Sequence, residues 1–159
     1  MKSAAMRPMK AEDRPALESI LKVTPEFTSE EVGVALELID DYLKSGEKSG
    51  YFILVAVVGS AVVGYLCYGP RPLTTGTWDM YWVVIHPDYQ GEGIGRSLFN
   101  EAERQIAKFG GRIMIIETSS KPGYEKTINF HHSLGYTDVC LIDDFYAPGD
   151  HLLMLIKRI

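Results

Sequence analysis

Between Gln90 and Arg96 the chain reads Gln-Gly-Glu-Gly-Ile-Gly-Arg, with an apolar stretch before it and a helix-forming one after it. Glycine at 91, 93 and 95 lets the backbone turn sharply and approach a ligand closely. The first amides of a helix have no partner within the helix and lie at the positive end of its dipole. Strand, glycine loop and helix together therefore suit a phosphate group. Arg96, at the helix start, adds a cation that can meet the same anion. Spacing excludes two other phosphate loops. A P-loop carries Lys-Ser or Lys-Thr after its last glycine, where this chain has Arg96-Ser97. A dinucleotide fingerprint needs its third glycine at position 96. Two carboxylates also stand at the ends of apolar runs, Asp79 opening the central strand and Glu117 closing Arg112 to Ile116. Desolvation raises the pKa of a carboxyl group, so such positions suit a general base. His131-His132 is not read as a metal site. Adjacent helical residues point about 100° apart, and no Cys or carboxylate completes a ligand set.

These groups need elements to hold them. Ala4 to Met9 reads as a short strand, and Lys10 to Val23 as a helix with Leu17, Ile20 and Leu21 at helical spacing. Thr28-Ser29-Glu30-Glu31 has the form of a capping box and starts a second helix, with Val32, Ala35, Leu36, Ile39 and Leu43 on one face. Tyr51 to Val58 and Ala61 to Tyr68, joined by Gly59-Ser60, form a hairpin pattern. Gly69 to Thr77 is a loop leading to the central strand, Met80 to Ile85. A third helix runs from Ser97 to Phe109 and stops at Gly110-Gly111. Arg112 to Thr118 is a buried strand, Tyr124 to Leu134 a helix closed by Gly135, and Tyr136 to Ile142 with Leu152 to Ile156 a closing pair of strands. Asp143 to Asp150 reads as a polar loop.

The order apolar strand, His86-Pro87, Q-x-x-G-x-G, helix closely resembles the acetyl-CoA-binding motif of the GCN5-related N-acetyltransferases, the GNAT superfamily. The Tyr124 to Tyr136 segment, ending Ser133-Leu134-Gly135-Tyr136, is similar as well. The resemblance implies the α/β acyl-CoA N-acyltransferase fold along nearly the whole chain. That fold is a mixed, mostly antiparallel sheet of about six to seven strands flanked by about four helices. In it the glycine-loop strand and the next one splay apart, and the acyl-CoA lies in the resulting V.

The same resemblance implies acetyl-CoA as co-substrate, its pyrophosphate held by the loop Gln90, Gly91, Glu92, Gly93, Ile94 and Gly95. It implies an oxyanion met by the backbone of Val83, Val84 and Ile85, and direct attack in a ternary complex by a primary amine of a small molecule, amino acid or peptide. Glu117 and Asp79 each fall where relatives carry a base, and a water chain is the third option. The family's Phe-Tyr pair, whose tyrosine points at the CoA sulfur, is here Phe130-His131. His131 either takes over as the acid or is a helix residue facing water. Tyr124 and Tyr146 are the other phenols at hand, and unassisted departure of the thiolate is also open. This departure from the pattern keeps a non-catalytic CoA-binding or sensing module as the competing class.

Composition sets outer bounds. A chain of 159 residues, 46% apolar and 23% charged, suits one globular domain over residues 1–159. No apolar run approaches the ~18 residues of a membrane span. A net charge of −5 argues against nucleic acid as a partner, and is compatible with a cationic acceptor. Phe145 and Tyr146, set among carboxylates in the Asp143 to Asp150 loop, would suit such an acceptor. The opening MKSAAMRPMKAEDRP lacks the apolar core of a signal peptide. Cys67 and Cys140, both in apolar runs, read as reduced core residues of a cytoplasmic protein. A homodimer is left open.

Overall fold

A computed structural model describes residues 3–159. The elements in chain order are β1 (Ala5–Pro8), α1 (Arg14–Val23), α2 (Ser29–Ser45), β2 (Phe52–Val58), β3 (Ala61–Pro70) and β4 (Thr77–Ile85). They continue with α3 (Ile94–Lys108), β5 (Ile113–Ser119), α4 (Glu125–Ser133), β6 (Thr137–Ala147) and β7 (Asp150–Arg158). The strands form one sheet in the order β1-β2-β3-β4-β5-β7-β6. Each neighbouring pair is antiparallel except β4 and β5, which are parallel because α3 carries the chain back between them. The expected mixed, mostly antiparallel sheet with four helices is thus what the chain forms.

The two-residue period of the strands divides their side chains between two cores. Leu54, Leu66, Met80, Met114 and Ile116 pack with Leu98, Phe99, Ala102 and Ile106 of α3. Ile53, Val55, Tyr65, Cys67 and Val84 pack with Leu17, Ile20, Leu21, Ala35 and Ile39 of α1 and α2. The capping box expected at Thr28 is present: Thr28 N donates to Glu31 Oε2 at 2.7 Å and Glu31 N to Thr28 Oγ1 at 3.2 Å. No helix among the described residues is long and apolar enough to cross a membrane.

The C-terminal third departs from the sequence reading. Asp143 to Asp150 is not a loop. β6 runs on to Ala147, which pairs with Asp150, so that only Pro148-Gly149 turns. Backbone pairing with β7 outweighs the polar composition, and the strain is taken up locally. The register shifts between Ile142 and Ala147, and Asp144 adopts a φ of 53°. Asp144 N donates to His151 Nδ1 at 2.8 Å, and Gly149 N donates to Asp144 Oδ1 at 2.8 Å. Cys140 is also not a core residue. It lies on the outermost strand, every residue of which is exposed, while Cys67 is buried as expected. Phe109 is exposed rather than packed under α3, although its ring stacks on Trp78 at 5.8 Å.

Tyr65 is fully buried between β3 and the α1/α2 layer, and its hydroxyl has no hydrogen-bond partner. Tyr65→Phe keeps the ring and removes an unsatisfied donor. It should raise stability by about 1 kcal/mol, seen as a higher urea midpoint at unchanged m-value. A lower midpoint would show that the hydroxyl is doing something the packing does not reveal.

Candidate active site

β4 and β5 pair over four residues only, Thr77↔Ile113, Trp78↔Met114, Asp79↔Ile115 and Met80↔Ile116. Beyond Met80 both strands continue without each other. β5 stays with β7 as far as Ser119, and β4 stays with β3 as far as Ile85. The parting coincides with a bulge. Cys67 pairs with Trp82 and Tyr68 with Met80, so Tyr81 is an extra residue that kinks β4 away from β5. From Tyr81 to Ile85 one edge of β4 therefore faces an opening. Of Val83, Val84 and Ile85, the residues expected to offer backbone amides, Val83 and Ile85 turn theirs to it, whereas Val84, like His86 whose N donates to Val63 O, turns its own to β3.

At the end of this edge the chain turns through Pro87–Tyr89, with Asp88 N donating to His86 Nδ1 at 3.2 Å. Gln90 Nε2 donates to the carbonyl of Ile85 at 3.1 Å and so ties the glycine loop to the strand. Gly91 and Gly93 both have φ of 79°, the left-handed region that glycine enters without strain. Gly93 is the N-cap residue of α3, which begins at Ile94, two residues earlier than the expected start near Arg96. No side chain caps it, and the first backbone bond turning back into the helix is Ser97 N to Gly93 O at 3.1 Å. The amides of Ile94, Gly95 and Arg96 are therefore left for an acceptor outside the helix, which is what a phosphate supplies.

Two loop residues have other work. A Cβ on Gly95 would lie 3.0 Å from Cζ of Phe130, so this glycine admits α4 against α3 rather than a ligand against the backbone. Arg96 reaches across to Ser133, donating to its Oγ at 3.1 Å and its carbonyl at 3.3 Å, and so fastens the α4 C-terminus to α3. Gly95→Val should accordingly lower stability by roughly 1–3 kcal/mol through overpacking. Gly91, with nothing within 4 Å of its missing Cβ, should show in an Ala variant only the ~1 kcal/mol cost of a positive φ. Thermal unfolding of the two variants separates a packing glycine from a turning one.

Asp79 and Glu117 lie on the opposite face of the sheet from α3. Arg71, at the end of β3, links them. Its Nε and Nη2 donate to both oxygens of Asp79 at 2.7 to 3.1 Å, and Nη2 reaches Glu117 Oε1 at 3.2 Å. Asp79 is buried beneath this fork. Glu117 is open to solvent on β5, one residue past the last β4–β5 pair. Sequence reasoning missed Arg71, which looks like one more cation of a proline-rich loop. Tyr146 lies near Glu117, with Tyr124 beside it: burial raises the Tyr146 phenol first, then the charges of Glu117 and Asp150. Lys121 sits 5.4 Å over the Tyr124 ring and 3.7 Å from Asp150.

His131 is not a helix residue facing water. It is 2% exposed, its ring against Phe99, Phe130 and Tyr136, and its Nδ1 has no partner. Burial, and then the charge of His132, push its pKa down to about 4. At neutral pH it is an uncharged imidazole and not a cationic donor. His132 points elsewhere, its Nε2 2.7 Å from Asp138 at the surface.

The depressed pKa has a stability consequence. Between pH 6.5 and about 4 the unfolded chain binds a proton at this position that the folded chain excludes. Stability is therefore highest above pH 6.5 and falls as pH drops through that window, by on the order of 3 kcal/mol. Denaturant midpoints from pH 7 to 4 should fall less steeply in His131→Phe than in the parent. Equal slopes would refute the burial of a neutral imidazole.

Comparison with known proteins fits this arrangement. The family model described as acetyltransferase (GNAT) family matches residues 14–136. A GNAT-family acetyltransferase structure from Desulfovibrio desulfuricans is 33% identical, with a TM-score of 0.95 over 98% of this chain and 99% of that one. YncA of Salmonella typhimurium, solved with its cofactor acetyl-CoA, is 21% identical, with a TM-score of 0.74 over 98% of this chain and 93% of that one. In sequence, the L-methionine sulfoximine/L-methionine sulfone acetyltransferase of Salmonella typhimurium is 31% identical over 90 residues, 55% of this chain and 52% of that protein. The match thus spans about half the length of this curated relative.

Proposed function

The chain belongs to the acetyltransferase (GNAT) family, and from that premise we propose that it transfers an acetyl group from acetyl-CoA to a primary amine. The observation that carries the reading is the parting of β4 and β5 after Met80 and Ile116. It opens the sheet between an uncapped helix N-terminus on one side and a solvent-open carboxylate on the other. The pyrophosphate of CoA is held by the amides of Ile94, Gly95 and Arg96 and the turn at Gly91 and Gly93. The acyl-bearing arm runs along the free edge of β4 towards Glu117, and the amides of Val83 and Ile85, which alternate onto that edge, provide the donors for the oxyanion. The protein works in the cytoplasm, where acetyl-CoA is at hand and both cysteines remain thiols.

The chemistry needs no acyl-enzyme. The acceptor ammonium gives one proton to Glu117, and the nitrogen lone pair attacks the thioester carbon. As the tetrahedral adduct collapses the carbon–sulfur bond breaks, the nitrogen loses its second proton, and the thiolate takes up a proton to leave as free thiol. Cys67 is no nucleophile, since burial pushes its thiol well above the ordinary range. Glu117 suits the base better than Asp79, both of whose oxygens are already taken by Arg71. An amine of a small molecule or amino acid fits the likeness to the methionine sulfoximine enzyme, and a peptide amine reaches the same carboxylate.

The test is release of free CoA thiol from acetyl-CoA across a panel of simple amines, amino acids including methionine sulfoximine, and short peptides. Turnover is expected, and Glu117→Gln should lower kcat by ~10²–10⁴-fold, partly recovered at high pH, with the Kd for acetyl-CoA unchanged. CoA binding without thiol release from any acceptor would replace the reading with a non-catalytic CoA-binding module.

A further inference from the structure

The two carboxylates that stand as candidate bases share one guanidinium. Arg71 is tightly confined: its own N donates to Thr77 O at 2.8 Å, and Thr74 Oγ1 donates to its carbonyl at 2.8 Å. Asp79 takes the fork of the guanidinium with both oxygens, and its side chain is 10% exposed. Nη2, which also donates to Asp79 Oδ1, reaches on to Glu117, whose side chain is 39% exposed and whose Oε1 is the oxygen engaged. The two carboxylates also hold the guanidinium firmly in its charged form, Asp79 contributing most.

We propose that Arg71 is a positioning residue. Anchored by Asp79, it grips Glu117 through Oε1 and turns Oε2 towards the opening between β4 and β5, where the acceptor ammonium arrives. A glutamate on an exposed strand end otherwise samples several rotamers, and only some of them place an oxygen within reach of the amine. Confining it removes that search from the reacting complex. Asp79 is then the fixed end of the clamp, and Glu117 the end that handles the proton. This inference rests on the reading of Glu117 as the base.

A double-mutant cycle on the full chain tests it, using acetyl-CoA and the fastest acceptor of the amine panel. Arg71→Ala should lower kcat roughly 10- to 100-fold with the Kd for acetyl-CoA unchanged. Arg71→Lys keeps one donor and should recover part of the loss, which also covers an alanine variant that folds poorly. In a Glu117→Gln background Arg71→Ala should cost little more, because the group it positions is gone. Equal losses from Arg71→Ala in both backgrounds would overturn the clamp and show that Arg71 acts independently of Glu117. Glu117→Gln with full kcat would instead overturn the base assignment, and with it the clamp. No turnover with any amine would overturn the catalytic reading of the site itself.

Discussion

A β-sheet holds together because each strand satisfies its neighbour's amides and carbonyls, and this sheet withholds that satisfaction along one edge of β4 from Tyr81 to Ile85. Unpaired backbone polar groups are costly wherever water cannot reach them, so an opening of this kind persists only if something enforces it. Here the enforcement comes from three sides. The extra residue Tyr81 kinks β4, its ring resting edge-on against Tyr51 at 5.4 Å. β7 claims β5 along its full length. α3 fixes the far end of β4 through the short glycine turn. The opening is thus defined by a pairing that the fold prevents.

Electrostatics divides the same opening into two ends. The α3 end offers oriented amides, with no acidic residue in the first turn of the helix, which favours anionic groups. The Glu117 end gathers carboxylates of Asp79, Glu117 and Asp150 around the two cations Arg71 and Lys121, which favours a positively charged arrival. The opening thus carries opposite electrostatic preferences at its two ends. The overall charge of −5 does not set the field at the glycine loop, where oriented amides act locally.

How much of this was legible in the residues depended on distance along the chain. The glycine loop could be read because strand, turn and helix are contiguous, and its conformation follows from local rules about positive φ and unpartnered amides. The hairpin at Gly59-Ser60 and the Thr28 cap were legible for the same reason. Glu117 and Asp79 could be singled out by their place at strand ends, Glu117 ahead of Asp79, but the guanidinium that engages them differently lies 46 residues from Glu117 in the chain and leaves no local signal. The packing role of Gly95 was not legible, since only the approach of Phe130 from α4 shows what its missing side chain admits. His131 was hidden too. α4 is short and only weakly amphipathic, so its pattern does not tell a buried imidazole from a solvated one. At β6, local polarity pointed to a loop, and pairing with β7 decided otherwise.

The exposed last strand bears on how the chain keeps company with copies of itself. β6 has no neighbour on its outer side, and Val139, Leu141 and Phe145 project from it into solvent. Such an edge is an open template for another strand, and long apolar edges are where soluble proteins begin to aggregate. Asp138, Asp143 and Asp144 interrupt this one. Two copies docking antiparallel about Leu141 would bring Asp138 of each against Asp144 of the other, and like charges placed opposite each other disfavour that register. The acidic residues that make the segment look like a loop thus act as gatekeepers against pairing of one copy with another.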